Sequence, residues 1–300
     1  MLEVVEVSPR DGLQNHPRTV PTQLKIELVE RLVDAGACRI EATSFVSPKA
    51  VPQMADAEAV MDGVPRQRGV RYAALVANAR GAERAVAAGA DELNVVVLAT
   101  DGFGQANQGA DRPRMIATYH EAASIARAAG VGVTLTVGAS FGCPFDGEVP
   151  PEQVAELVAA AVDIAPDEIC VADTIGVGVP AQVRALADAV RAVAPEPRLR
   201  FHFHNTRNTG YANALTAVEV GAAALDASAG GIGGCPFAPN ATGNIATDDL
   251  VYLLDRSGVK TGIDRARMAE TSRWMRERLG VDPSGMLHVA GDFPPTPARG

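Results

Sequence analysis

The chain has 300 residues, 47% hydrophobic and 21% charged, with a formal net charge of −9. That length and composition describe a globular chain able to bury its own core. The acidic balance, with no run of lysines or arginines, disfavours nucleic acid or an anionic membrane as a whole-protein partner.

Short β-branched runs alternate with longer amphipathic stretches. A strand over 2–8 leads into Arg10-Asp11. A helix follows, with Thr22 as its expected N-cap and Leu24, Leu28, Val29, Leu32 and Val33 on one stripe. The second strand, 38–44, carries Glu41 and ends in Thr43-Ser44. Strands over 70–76, 92–98 and 132–137 come next. After Pro150-Pro151, Val154, Leu157, Val158, Ala161 and Val162 form another helical stripe. The sixth strand, 168–174, ends in Asp173-Thr174, and the seventh, 199–205, holds His202 and His204. The eighth, 224–229, runs into a glycine-rich segment. Helices over 247–258 and 264–279 complete a first domain of residues 1–280. Residues 281–300 form a Pro/Gly-rich tail, expected to be loosely ordered from Asp282 onward.

Eight β-then-α units with continuously apolar strands point to a closed (β/α)8 TIM barrel with a short C-terminal helical extension. An open doubly wound sheet is the alternative, but neither a Rossmann glycine fingerprint nor a P-loop follows the first strand. No apolar segment approaches the roughly 18 residues of a membrane span. The N-terminus lacks the form of a signal peptide. A soluble cytoplasmic protein is the expectation. The four cysteines are too widely spaced for a CxxC metal site or a disulfide framework. Cys38 and Cys170, in apolar runs, read as core thiols.

A barrel of this kind keeps its chemistry at the carboxyl ends of the strands, and polar residues punctuate several of those ends here. In His202-Phe203-His204 the two imidazoles share one face of a strand, so both can grip one ion. A pair of hydrogen-bonded core histidines is the plainer alternative. Asp11 is the natural carboxylate partner, although an Asp-Gly turn in solvent would look the same. Two imidazoles with oxygen donors suit Mg²⁺, Mn²⁺ or Zn²⁺. Cys235 lies within the glycine-rich stretch from Gly230 to Asn244, where glycines allow close approach to a ligand and hinge motion.

SPRDGLQN, IEATSFVSPKAVPQMAD, FGCPFDG, ADTIGVG, HFH and GGIGGCPFAPNATGNIATDDLVYLL together resemble the 3-hydroxy-3-methylglutaryl-CoA lyase family, in the same motif order, from about Val4 to Asp264. The resemblance implies a metal-dependent carbon–carbon lyase acting on an acyl-CoA, with Mg²⁺ or Mn²⁺ as the usual ion. It places metal ligands at Asp11, His202, His204 and Asn244, and an enolate-neutralising arginine at Arg10. Cys235 would be a proton-transferring loop cysteine, and Glu41 and Asp173 acidic residues for orientation and proton movement. Contacts to coenzyme A would fall to Arg18, Thr100 and Asn107. Pairing into a homodimer is compatible with a barrel of this sort.

The sequence also departs from the family pattern. Asn205-Thr206-Arg207 follows HxH where the family carries Asp-Thr-Tyr, Thr100-Asp101 replaces Ser-Glu, and Cys170 replaces a serine. These changes leave the acyl group open, with citramalyl-CoA among the candidates. A Claisen-condensing synthase of the isopropylmalate or homocitrate type is the nearest alternative function. A metal-dependent hydrolase and a non-catalytic binding barrel are more distant ones.

Overall fold

β-branched runs flanked by helix-length connections pair side by side when both faces of the sheet are covered, and the observed topology follows. The computed structural model describes residues 1–66, 69–234 and 243–293. Its strands are β1 Glu3–Glu6, β2 Arg39–Phe45, β3 Arg71–Val76, β4 Glu92–Leu98, β5 Gly132–Gly138, β6 Glu168–Asp173, β7 Arg198–Phe203 and β8 Ala224–Ala227. They pair in parallel in chain order and β8 closes on β1, with Val5 opposite Asp226. This is a (β/α)8 barrel, and the open sheet is excluded.

The helices are α1 Thr22–Asp34, α2 Ala57–Gly63, α3 Ala79–Ala87, α4 Asp101–Gln108, α5 Arg112–Ala128, α6 Pro151–Ala161, α7 Pro180–Val193, α8 Gly210–Glu219, α9 Thr247–Arg256, α10 Arg265–Leu279 and α11 Leu287–Ala290. Leu28, Val29 and Leu32 of α1 and Val154 and Val158 of α6 are fully buried, as their spacing requires of a helix laid on a sheet. No helix among the described residues is long and apolar enough to cross a membrane.

Four sequence expectations are corrected. Thr22 does not cap α1: Pro21 stands at the cap, and the Thr22 hydroxyl donates to Asp56 at 2.7 Å. Cys38 is exposed, because strand alternation turns its neighbour Arg39 into the barrel. The segment after Asp282 is not loose throughout. Asp249 accepts the backbone N–H groups of Met286 and Leu287, so α11 docks with Leu287 and His288 buried. Finally, the strands are not apolar on their inner face.

At the amino-terminal end of the barrel Arg39 forks onto Glu92 at 2.6 and 2.9 Å and onto Glu168 at 2.6 and 3.1 Å. Arg200 lies 3.3 Å from Glu168 and 3.2 Å from Asp226. Both arginine side chains are 2% exposed. Charges this deep persist only when paired, so these residues make an ionic floor beneath the barrel's mouth.

Candidate active site

Directly after β1, Ser8–Gly12 forms a single π-helical turn with Pro9 at its start, and the Asp11 N–H bonds back to the Val7 carbonyl at 2.8 Å. The turn aims Arg10 and Asp11 across the carboxyl end of the barrel. Arg10 Nε donates to Glu41 at 2.6 Å and Nη2 lies 2.5 Å from the same oxygen, while Nη1 donates to Asp11 at 2.6 Å. A guanidinium carries five N–H donors, so two remain for an oxygen in the cavity. Glu41 is held a second time by Asn94 Nδ2 at 2.7 Å, and Asn94 Oδ1 accepts from Thr136 at 2.6 Å.

His202 on β7 and His204 just beyond it face the same side, their ring centres 5.1 Å apart. One ligand atom each from Asp11, His202 and His204 lie within 4.8 Å of one another, and His204 Nε2 is 3.8 Å from Asp11 Oδ2. A backbone bridge between His204 and Asn244 carries Asn244 to the same place. Its Nδ2 donates to Asp11 at 2.7 Å and to the Ile232 carbonyl at 3.0 Å. Asn244 Oδ1, by contrast, is buried without a partner. An orphaned buried oxygen beside two imidazoles and a carboxylate is a donor set that fits a divalent ion.

Electrostatics prepare the same set. Burial opposes the Asp11 carboxylate, but Arg10, His202 and His204 beside it hold its pKa well below the usual carboxylate range. Burial and the neighbouring His202 push His204 down to about 4, which leaves its lone pair free at neutral pH. His202 differs: burial lowers its pKa, but Asp226, 3.1 Å from Nδ1, more than reverses this. With Nδ1–H held by that carboxylate, Nε2 is the lone pair turned to the site.

A cavity of about 540 Å³ opens over this cluster, lined by Arg10, Asp11, Asn94, Thr136, His202 and His204 at its base and by Asn107, Gln108 and Arg114 farther out. Glu41 lies behind Arg10 and Asn94 and does not line it. Asp173 does not line it either: its carboxylate accepts the Val177 and Gly178 N–H groups at 2.9 Å each, and burial raises its pKa. Of the three residues expected against coenzyme A, only Asn107 lines the cavity. Arg18 is exposed elsewhere, and Thr100 caps α4 with its hydroxyl 3.0 Å from Cys143 Sγ. Cys235 lies outside the described residues. Asn94, Thr136, Arg114 and Asp226 escaped the sequence reading, since a single polar residue in a strand or helix has no spacing signature.

A closed barrel with an Asp–His–His cluster and a paired arginine at its carboxyl-end mouth defines a barrel enzyme of the metal-binding type. The chain belongs to the HMGL-like family, whose model matches residues 1–275. It is 44% identical to the (R)-citramalyl-CoA lyase of Chloroflexus aurantiacus, covering 97% of this chain and 95% of that one. It is 38% identical to a hydroxymethylglutaryl-CoA lyase of Bacillus subtilis, over 95% and 96% of the two chains. A solved HMG-CoA lyase from Acinetobacter baumannii, in complex with coenzyme A and 3-methylmalate, superposes with a TM-score of 0.93 at 42% identity, covering 98% and 96%.

Proposed function

We propose that the chain is a divalent-metal-dependent carbon–carbon lyase that cleaves (R)-citramalyl-CoA or 3-hydroxy-3-methylglutaryl-CoA, releasing acetyl-CoA and an oxo acid. The convergence of Asp11, His202 and His204 beside an arginine with two uncommitted N–H groups, at the base of one cavity, carries this reading. The named relatives are lyases, which favours cleavage over condensation. Two of them differ in substrate at comparable identity, so both acyl groups belong in the proposal.

Asp11, His202, His204 and Asn244 Oδ1 would hold the ion. When bound, it would acidify the C3 hydroxyl and polarise the carbonyl that replaces it. The hydroxyl proton leaves to a base, the C2–C3 bond breaks, and its electron pair stays on C2 as the acetyl-CoA enolate. The two free N–H groups of Arg10 then meet the enolate oxygen, an interaction typically worth a few kcal/mol of barrier. Glu41 and Asn94 keep the guanidinium from turning away. Cys235, on the segment after Gly234, is the proposed proton donor to C2. Asp173 acts indirectly, by shaping the β6–α7 loop next to β7. The coenzyme A arm is assigned to the cavity side formed by Asn107, Gln108 and Arg114.

Acetyl-CoA release from both thioesters, measured with and without EDTA, tests the proposal. Turnover of at least one, abolished by EDTA and restored by Mg²⁺ or Mn²⁺, is expected. Full turnover in EDTA would remove the metal, and release from neither thioester would remove the lyase.

A further inference from the structure

The ionic floor of the barrel reaches up to the proposed metal site through one side chain. Arg200 and His202 alternate along β7 and His204 continues the same alternation one residue past its end, so all three face inward. Arg200 Nε lies 3.2 Å from Asp226 Oδ1, and Asp226 Oδ2 lies 3.1 Å from His202 Nδ1. Asp226 stands opposite His202 in the β7–β8 register. All three are at most 8% exposed, so water does not loosen the arrangement. On its far side Arg200 meets Glu168 at 3.3 Å and Glu92 at 3.8 Å, and Arg39 grips both carboxylates.

We propose that Arg200 is a positioning residue for the divalent-ion site, acting through Asp226 to fix the ring of His202. The Arg200–Asp226 contact is a buried ion pair rather than a hydrogen bond, and a cation at one oxygen with an imidazole N–H at the other opposes rotation of the carboxylate. The imidazole is thereby locked in the tautomer and orientation that present Nε2 to Asp11 and His204. Asp226 takes both of its hydrogen bonds, from His202 and from the Cys170 thiol at 3.9 Å, on Oδ2, so without the guanidinium its Oδ1 would have no neighbour of opposite charge. One of its oxygens is then free to swing, and the ring with it. The inference rests on reading Asp11, His202 and His204 as ion ligands, but not on any particular substrate.

Calorimetric titration of the whole protein with Mn²⁺ tests it, independently of turnover. Arg200→Met should weaken Mn²⁺ binding about 10- to 100-fold, the usual effect of losing a partner behind a metal ligand. Arg200→Lys, which keeps the charge, should recover most of that loss. Glu168→Gln removes an equally buried partner from the far side of Arg200. It should lower the melting temperature yet leave Mn²⁺ affinity within about 2-fold, since it does not touch Asp226. Unchanged affinity in Arg200→Met, or equal losses in Arg200→Met and Glu168→Gln, would overturn the proposal. Should Arg200→Met not fold, Asp226→Asn must weaken binding and Arg200→Lys must fall between it and the wild type; any other order overturns it. Wild-type protein that binds no Mn²⁺ would instead bring down the metal reading beneath it.

Discussion

Gly233 has φ +125°, and a Cβ there would lie 2.5 Å from Asn244 Nδ2 and 3.3 Å from Asp11 Oδ2. The backbone can pass this close to two proposed ligands only because no side chain intervenes. Gly233→Ala should therefore push Asn244 off Asp11 and lower kcat/KM by about tenfold or more, or about 1.4 kcal/mol of barrier. Circular dichroism should show the barrel intact. Near-normal kinetics would mean that Asn244 does not need its place. At this scale the sequence was legible where residue types are improbable: an HxH pair in a strand, or Arg-Asp straight after one. It was illegible where a common residue does uncommon work. Asp226 is one acid in an apolar run, yet it holds both His202 and Arg200. Asp173 reads as a strand-end acid like any in an active site, and only geometry shows its carboxylate committed to backbone N–H groups. Arg18 and Thr100 looked apt by charge and position, but one faces outward and the other caps a helix.

Among the elements, α9 is anchored in an unusual way. Asp248 in its first turn is fully buried, and one oxygen accepts the Gly230 N–H at 3.1 Å, tying the helix to the start of the glycine-rich segment. Its other oxygen has no hydrogen-bond partner and lies 3.9 Å from the ring of His288, on the docked C-terminal segment. An acid at a helix N-terminus is ordinarily stabilised as the anion. Here burial, helped by the adjacent Asp249, wins and raises the pKa from 3.8 to about 7. The folded chain therefore binds this proton more tightly than the unfolded one. The group's contribution is most favourable below about pH 4 and is lost as pH rises to about 7. At about 1.4 kcal/mol per unit, the loss is on the order of 4 kcal/mol. Asp248→Asn keeps the acceptor for Gly230 without the charge. Urea unfolding should show its stability relative to wild type rising from pH 5 to pH 8, and a pH-independent difference would refute the buried acid. Helix positions were legible from their apolar stripes, whereas ends were less so. Pro21 displaces Thr22 as a cap because proline's fixed φ already suits a helix entry.

Over the whole molecule, the closed barrel was legible because eight β/α units cannot easily be covered in any other way. Its charged interior was not, because one or two buried charges in a strand, as Arg39 and Glu41 in β2 or Glu168 and Asp173 in β6, still leave the run reading as apolar. Glu6 and Asp173 are buried too, but both accept only neutral donors and burial raises their pKa values. Set those aside, together with Glu3, which the exposed Arg71 and Arg198 also pair, and with Lys25 and Asp248, which belong to α1 and α9 outside the strands; count the rest of the barrel's interior as ionised. Asp11, Glu41, Glu92, Glu168 and Asp226 then face Arg10, Arg39 and Arg200. Five negative charges against three positive leave two uncompensated, the charge a divalent cation supplies. Unpaired charge in a low-dielectric interior is expensive, so the ion should matter to the fold as well as to the reaction. A ligand held only by the folded state stabilises it by about 2.7 kcal/mol at about 100 times its Kd. For a chain of this length that corresponds to a rise in Tm of about 5 °C. Mn²⁺ or Mg²⁺ should produce that rise in a thermal melt, and NaCl at matched ionic strength should not. Asp11→Asn should erase the ion's effect, having removed both a ligand and one of the two uncompensated charges. A melting temperature indifferent to divalent ions would refute the ion's part in the fold.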